Sequence, residues 1–281
     1  MSRTRVFVLT LLAMLAFAAN SLLCRVALKQ TGIDAASFTL VRIMSGALAL
    51  WLIVRVRDGT PVAAGSWPSA LALFVYAAAF SFAYVSLTAA TGALLLFGAV
   101  QSTMIGVGLC QGERLRARQT AGLAAALVGL VGLLLPGLSA PPWPGSLLML
   151  AAGAAWGVYS LRAKGSGDPL RATAGNFLRA VVFAAALSFV MRSGMAADAA
   201  GIGWAIASGA LASGVGYAIW YTALGGLSVT SAASVQLSVP VIAALGGIVL
   251  LGEPLTLRLV IASSAILGGI ALVIARPPRA A

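Results

Sequence analysis

No histidine occurs in this chain, and only six of its 281 residues are acidic. The missing imidazoles remove the most common general base and metal ligand. Two cysteines, Cys24 and Cys110, lie far apart in apolar runs, with neither metal-site spacing nor a disulfide framework. Charged residues are 9% of the chain, where soluble domains carry about one quarter. Hydrolysis needs a base beside a nucleophile, or a metal centre, and no Walker, Rossmann, zinc or nucleophile-elbow pattern stands in its proper context. An enzyme is excluded on these grounds, and no metal and no cofactor is expected.

What is present is hydrophobic. Apolar residues make up 61% of the chain, and ten runs of about 20 residues are bounded by charges, Pro or Gly. They are 6–28, 37–56, 68–88, 91–111, 118–137, 144–163, 170–192, 201–224, 229–251 and 257–275. The spacing predicts an all-α membrane protein with ten transmembrane helices, short links and no inserted soluble domain. Its one Pro-rich link, PGLSAPPWPG at 136–145, falls at the middle of the chain.

The net charge of +12 would point to nucleic acid in a soluble protein. Here the basic residues cluster between apolar runs and read as topology signals, so no nucleic-acid partner is expected. With the N-terminus in the cytoplasm, the inner links and tails carry twelve Lys and Arg, and the outer side carries four: Arg25, Lys29, Arg192 and Arg258. That bias predicts both termini inside. Arg3 and Arg5 precede Ala16-Phe17-Ala18, which resembles a signal-peptidase site. Cleavage there would leave nine spans, so an uncleaved first helix is expected.

A shift of 140 positions superimposes the two halves. Gly112-Glu113 meets Gly252-Glu253, Leu115 meets Leu255, and Arg118 meets Arg258. At an offset of 137, Arg25 meets Arg162 and Arg42 meets Arg179. Each half holds five spans, 1–138 and 139–281, and the odd number makes the second copy enter the membrane from the opposite side. Inverted repeats of this kind mark many secondary transporters. The two glutamates read as turn residues, each near a positive helix terminus.

The five-plus-five layout, the Gly-Glu-x-Leu marks at 112–115 and 252–255, and the run VQLSVPVIAALGGIVLLGEPL resemble the EamA-type branch of the drug/metabolite transporter superfamily. The resemblance covers essentially the whole chain. It departs at one point: the first copy has Val100 where the second has Pro240. Within the family the chain looks most like bacterial exporters of aromatic and other neutral amino acids, which implies a place in the bacterial inner membrane.

All six acids fall in links or at span ends, which argues against proton antiport through a buried carboxylate and against cationic cargo. The polar groups inside spans are amides, hydroxyls and rings. Gln236 precedes Pro240 by four residues, and proline leaves the carbonyl at 236 without its N–H partner. Gln236, Gln101 and Ser238 are therefore candidate cargo ligands and Pro240 a candidate hinge. For the amides Gln236 and Gln101, the alternative is bonding between helices, the role expected of Asn20 and Asn176.

Tyr76, Phe80 and Tyr84 share one face of span three, and Tyr217, Trp220 and Tyr221 one face of span eight. With Trp156 and Tyr159 of span six they offer stacking surface for an apolar or aromatic side chain. Trp51, Trp67, Trp143 and Trp204 read as span-end or interfacial residues. Arg42 and Arg179, within spans two and seven, could clamp a carboxylate or phosphate. Their mirrored placement favours snorkelling or holding helix-end carbonyls. The expected function is monomeric, facilitated export of neutral, aromatic or bulky apolar amino acids through the bilayer by alternating access. The alternative is a carrier of organic anions or phosphorylated metabolites that uses Arg42 and Arg179.

Overall fold

The computed structural model describes residues 1–59, 64–112, 114–137, 140–163, 167–227 and 229–274. Glu113, the first of the paired glutamates, lies outside them. Seven single helices come first: α1 (Arg3–Gln30), α2 (Ala35–Asp58), α3 (Trp67–Tyr84), α4 (Ala89–Cys110), α5 (Ala117–Leu134), α6 (Trp143–Arg162) and α7 (Pro169–Val190). Span eight is α8 (Ala199–Ile206), a π-helical stretch over Ala207–Val215, and α9 (Gly216–Leu224). Span nine is α10 (Val229–Gln236) and α11 (Ser238–Leu251), and α12 (Leu257–Ile274) is span ten. All ten spans are long and apolar enough to cross a membrane, and the described residues contain no strand.

The scarce acids are used at helix ends. Asp34 accepts from the N–H groups of Ala36 (2.8 Å) and Ser37 (3.1 Å) at the start of α2. Asp168 does the same for Leu170 and Arg171 in α7, and Asp198 for Gly201 in α8. Each carboxylate satisfies donors that a first helical turn leaves without partners. Gly59 and Gly252 close α2 and α11 with positive φ angles of 67° and 62°, where a Cβ would be strained.

The links gather into two faces. On the face distal to the N-terminus, Ala196 N–H donates to Asp34 (2.8 Å) and Gly32 N–H to Asp198 (3.1 Å). The two Gly32 and Gly201 amides hold the Asp198 carboxyl below its ordinary range. On the N-terminal face, Arg57 bridges Asp58 and Asp168, and Asn176 accepts from Ser66 N–H at 2.8 Å.

Packing follows the small residues. α5 lies against α12, where a Cβ on Gly122 would come within 2.6 Å of the Gly269 carbonyl. α6 packs on α3 and α4, with Gly153 against Ala99 and Leu96. α2 packs on α7 and on the π stretch, where a Cβ on Gly209 would stand 2.1 Å from the Arg42 carbonyl. The sequence spaces Gly108 with Gly112, and Gly153 with Gly157, four residues apart; Gly153 and Gly157 serve a close approach, whereas Gly112 has a φ of 91° in a link and meets nothing. Phe7, Val56, Val128, Phe189 and Val249 are exposed on the outside, as a surface solvated by lipid tails requires. Trp51, Trp67, Trp143 and Trp204 also lie on this exposed surface.

Candidate functional site

Span three places Tyr76 and Phe80 one helical turn apart on the inner face of α3, with ring centroids 5.5 Å apart. From α6, Trp156 comes within 4.8 Å of Tyr76, stacks on Tyr159 at 5.2 Å, and lies nearly parallel to Tyr217 at 5.7 Å. Phe17 of α1 adds an edge against Trp220 at 5.9 Å. These rings wall a cavity of about 320 Å³, within the range of small-molecule sites.

Seven of the ten expected cargo ligands line this cavity: Tyr76, Phe80, Trp156, Tyr159, Tyr217, Trp220 and Gln236. Three stand elsewhere. Tyr84 is fully buried beyond the wall, its ring against Gly92, and its hydroxyl donates to the Ala89 carbonyl at 3.4 Å. Gln101 is half-buried one residue past the lining Val100. Ser238 donates to the Val235 carbonyl at 2.7 Å, the local back-bonding to which a serine hydroxyl is prone.

Phe17, Asn20, Ser21, Phe97, Ser213 and Tyr221 also line the cavity. The first three recur at i, i+3 and i+4 in α1, a one-face pattern that marks them in sequence. Asn20 both lines the wall and bonds between helices: its Nδ2 donates to Tyr76 Oη (3.3 Å), and its Oδ1 accepts from Ser208 Oγ (2.5 Å). Ser213 and Tyr217 are aimed by the π stretch, which no local sequence pattern announces. Span nine breaks as the proline requires. α10 ends at Gln236, α11 starts at Ser238, and Leu237 N–H bonds back only to Ser234.

The two ends of the cavity differ. Toward the N-terminal face its wall reaches Ala163, Pro169 and Leu224, at the ends of spans six, seven and eight. A second cavity of about 320 Å³ adjoins it there, lined by Ser66, Ser69, Arg162, Thr173 and Asn176 and sharing Tyr159. Toward the distal face lie the fully buried Tyr84 and Leu87, then an ion pair. Arg25 Nε meets Glu253 Oε1 at 3.0 Å, with both side chains over nine-tenths buried. Arg25 Nη1 donates to the carbonyls of Tyr84 (2.9 Å) and Val85 (3.2 Å), and Glu253 Oε2 accepts from Ala89 N–H (2.8 Å). Glu253 thus serves a helix N-terminus, as its surroundings in the sequence imply, but that of α4. One cluster ties the α1, α3–α4 and α11–α12 regions together.

The paired arginines part company. Arg179 Nη1 donates to the carbonyls of Ala64 and Gly175, both at 2.9 Å. Arg42 does not snorkel: it is 2% exposed, under the rings of Phe80 (4.7 Å) and Tyr76 (5.4 Å). Its Nη2 donates to Tyr76 Oη at 3.1 Å, and its Nη1 is buried with no partner. Among the described residues no Asp or Glu lines the cavity and no cluster of metal-binding side chains occurs. The arrangement can bind and stack a solute; no nucleophile–base pair is assembled on its wall.

Comparison with known proteins supplies the family. The EamA-like transporter family matches residues 143–275. The uncharacterized protein PA1977 of Pseudomonas aeruginosa is 60% identical over 273 residues, which cover 96% of this chain and 95% of that protein. A solved crystal structure covers 97% of this chain and 98% of its own, with a TM-score of 0.66 and 21% identity, a likeness of fold alone. With ten apolar spans and an internal cavity, this chain is a multi-pass membrane protein whose residues 143–275 form an EamA-like transporter domain of the drug/metabolite transporter superfamily.

Proposed function

We propose that this protein is an inner-membrane exporter of neutral amino acids with aromatic or bulky apolar side chains, working by alternating access with both termini in the cytoplasm. The observation that carries this reading is the cavity itself. Stacked rings and a few amides and hydroxyls wall it, no carboxylate lines it, and it extends to one face while an ion pair closes the other. Rings suit an apolar or aromatic side chain, and the lack of a wall carboxylate favours facilitated movement over proton exchange. One chain encloses the whole cavity, so a monomer suffices.

The two-copy reading, 1–138 and 139–281, finds support in the packing. Spans one and eight pair as do three and six, spans one and nine as do four and six, and two with eight as do three with seven. Exchanging the halves maps each pair onto its counterpart. The family match also begins and ends close to the second copy. In this cycle the Arg25–Glu253 cluster is the distal gate, Pro240 is the hinge of span nine, and the polar second cavity is the antechamber on the N-terminal side.

Proteoliposomes loaded with labelled phenylalanine or threonine test the reading. Protein-dependent, saturable efflux with counterflow is expected, and no flux of any amino acid overturns it. The organic-anion alternative is favoured by one observation, the unpartnered Nη1 of Arg42. Arg179, engaged by two carbonyls, adds nothing to it.

A further inference from the structure

Arg42 is a buried cation whose neighbours are aromatic faces rather than a carboxylate. Among the described residues no acid pairs with it, and one of its terminal nitrogens is bare. Two rings offset part of the cost of burying that charge, but a buried guanidinium without an anion is a poor arrangement in a finished protein. The charge sits one layer behind the cavity, and Tyr76 connects the two. Tyr76 lines the cavity, and its Oη accepts from both Arg42 Nη2 (3.1 Å) and Asn20 Nδ2 (3.3 Å). The Ser208 hydroxyl on Asn20 Oδ1 keeps the amide turned with its NH₂ toward the tyrosine. With two donors on the phenolic oxygen, its own proton is left to give away, and no acceptor for it is present among the described residues. A hydroxyl polarised in this way donates most strongly to an anion.

We propose that the Asn20–Tyr76 corner of the cavity is a carboxylate subsite, in which Tyr76 donates to the cargo and Arg42 supplies the counter-charge from behind. This deepens the amino-acid reading and rests on it for the site, but it makes a separate demand on the cargo. The carboxylate is recognised and the ammonium is not, because among the described residues no acid lines the wall to meet an ammonium. Aryl-alkanoates without an amino group therefore belong to the cargo class, and arylalkylamines do not. Arg42 is a positioning residue; Tyr76 touches the ligand.

The test measures binding of three probes to the purified full chain in detergent or nanodiscs: phenylalanine, 3-phenylpropanoate and phenethylamine. The expected order places 3-phenylpropanoate at least level with phenylalanine and phenethylamine about tenfold or more weaker, the size of a charge-assisted hydrogen bond. Tyr76→Phe keeps the ring and removes only the donor, and it should collapse the carboxylate-over-amine ratio toward one. Arg42→Gln should do the same and Arg42→Lys should restore part of it; if Arg42→Gln fails to fold, Tyr76→Phe alone decides. Phenethylamine binding as well as 3-phenylpropanoate, or a ratio that Tyr76→Phe leaves unchanged, overturns the subsite. If 3-phenylpropanoate binds and phenylalanine does not, the subsite stands and the amino-acid reading falls. If none of the three binds, both fall.

Discussion

Arg25 and Arg162 occupy corresponding places in the two halves of the chain, yet their surroundings are opposite. Arg25 is sealed beneath the distal face, bound to Glu253 and to two carbonyls at the end of α3. Arg162 stands at the cavity mouth, where its Nε donates to the Ser69 hydroxyl at 3.2 Å. Arg42 and Arg179 repeat the contrast one layer deeper. Matching sequence thus sits in unmatched conformations, which is what the proposed alternating-access cycle requires of two like halves when only one end is shut. On that proposal, position in the repeat says which residues can form a gate, and the conformation says which gate is formed.

The sharpest way to break this contrast is at the closed end. Glu253→Gln leaves Arg25 buried without its anion, so a loss of about 3–5 kcal/mol of stability is expected, read as a lower melting temperature in detergent. Cys24, fully buried beside the lock, reports its opening. In a Cys110→Ser background, modification by an impermeant maleimide should rise about tenfold or more in the glutamine variant. Replacing both partners, Arg25→Met with Glu253→Leu, should recover most of the stability because no charge is orphaned. A Glu253→Gln protein as stable and as unreactive as the parent would remove the lock.

Next in size is the cavity wall. Trp156→Ala takes away the ring that three tyrosines face, and affinity for an aromatic cargo should fall about tenfold or more. Arg179→Gln should cost about 1–2 kcal/mol of stability through two lost carbonyl bonds while leaving cargo preference untouched. A shift in preference there would make the deep arginines alike after all. Pro240→Ala returns an N–H to the Gln236 carbonyl. Stability should rise by about 1 kcal/mol, and exchange across proteoliposomes should slow.

The smallest effect concerns pH. The Gly32 and Gly201 amides depress the Asp198 carboxyl. Its contribution is therefore present above the unfolded value of about 4 and is lost as pH falls through the lower, folded value. Melting temperatures measured across that acid range should decline in the parent and decline less in Asp198→Asn.

How much of this was legible beforehand depends on range. Spans were legible because twenty apolar residues between charges have one sensible fate. The rings of α3 and α9 were legible because a face repeats every three or four residues. The role of Tyr84 was not, since the period that places it with Tyr76 says nothing about where the cavity stops. Nor was the Arg25–Glu253 bond, which joins residues 228 apart in sequence. Glycine and alanine in span eight gave no sign of the π stretch. Asn20 was read as a bond between helices and proved to be that and part of the wall as well.

A wall that carries no acid has an electrical consequence. A zwitterion crossing such a passage moves no net charge, so the membrane voltage neither helps nor hinders it. A cargo stripped of its ammonium leaves as a single negative charge, and a negative cell interior drives it outward by about 2.3 kcal/mol for each 100 mV. One unaltered cavity would then run uncoupled for one solute and electrically driven for the other.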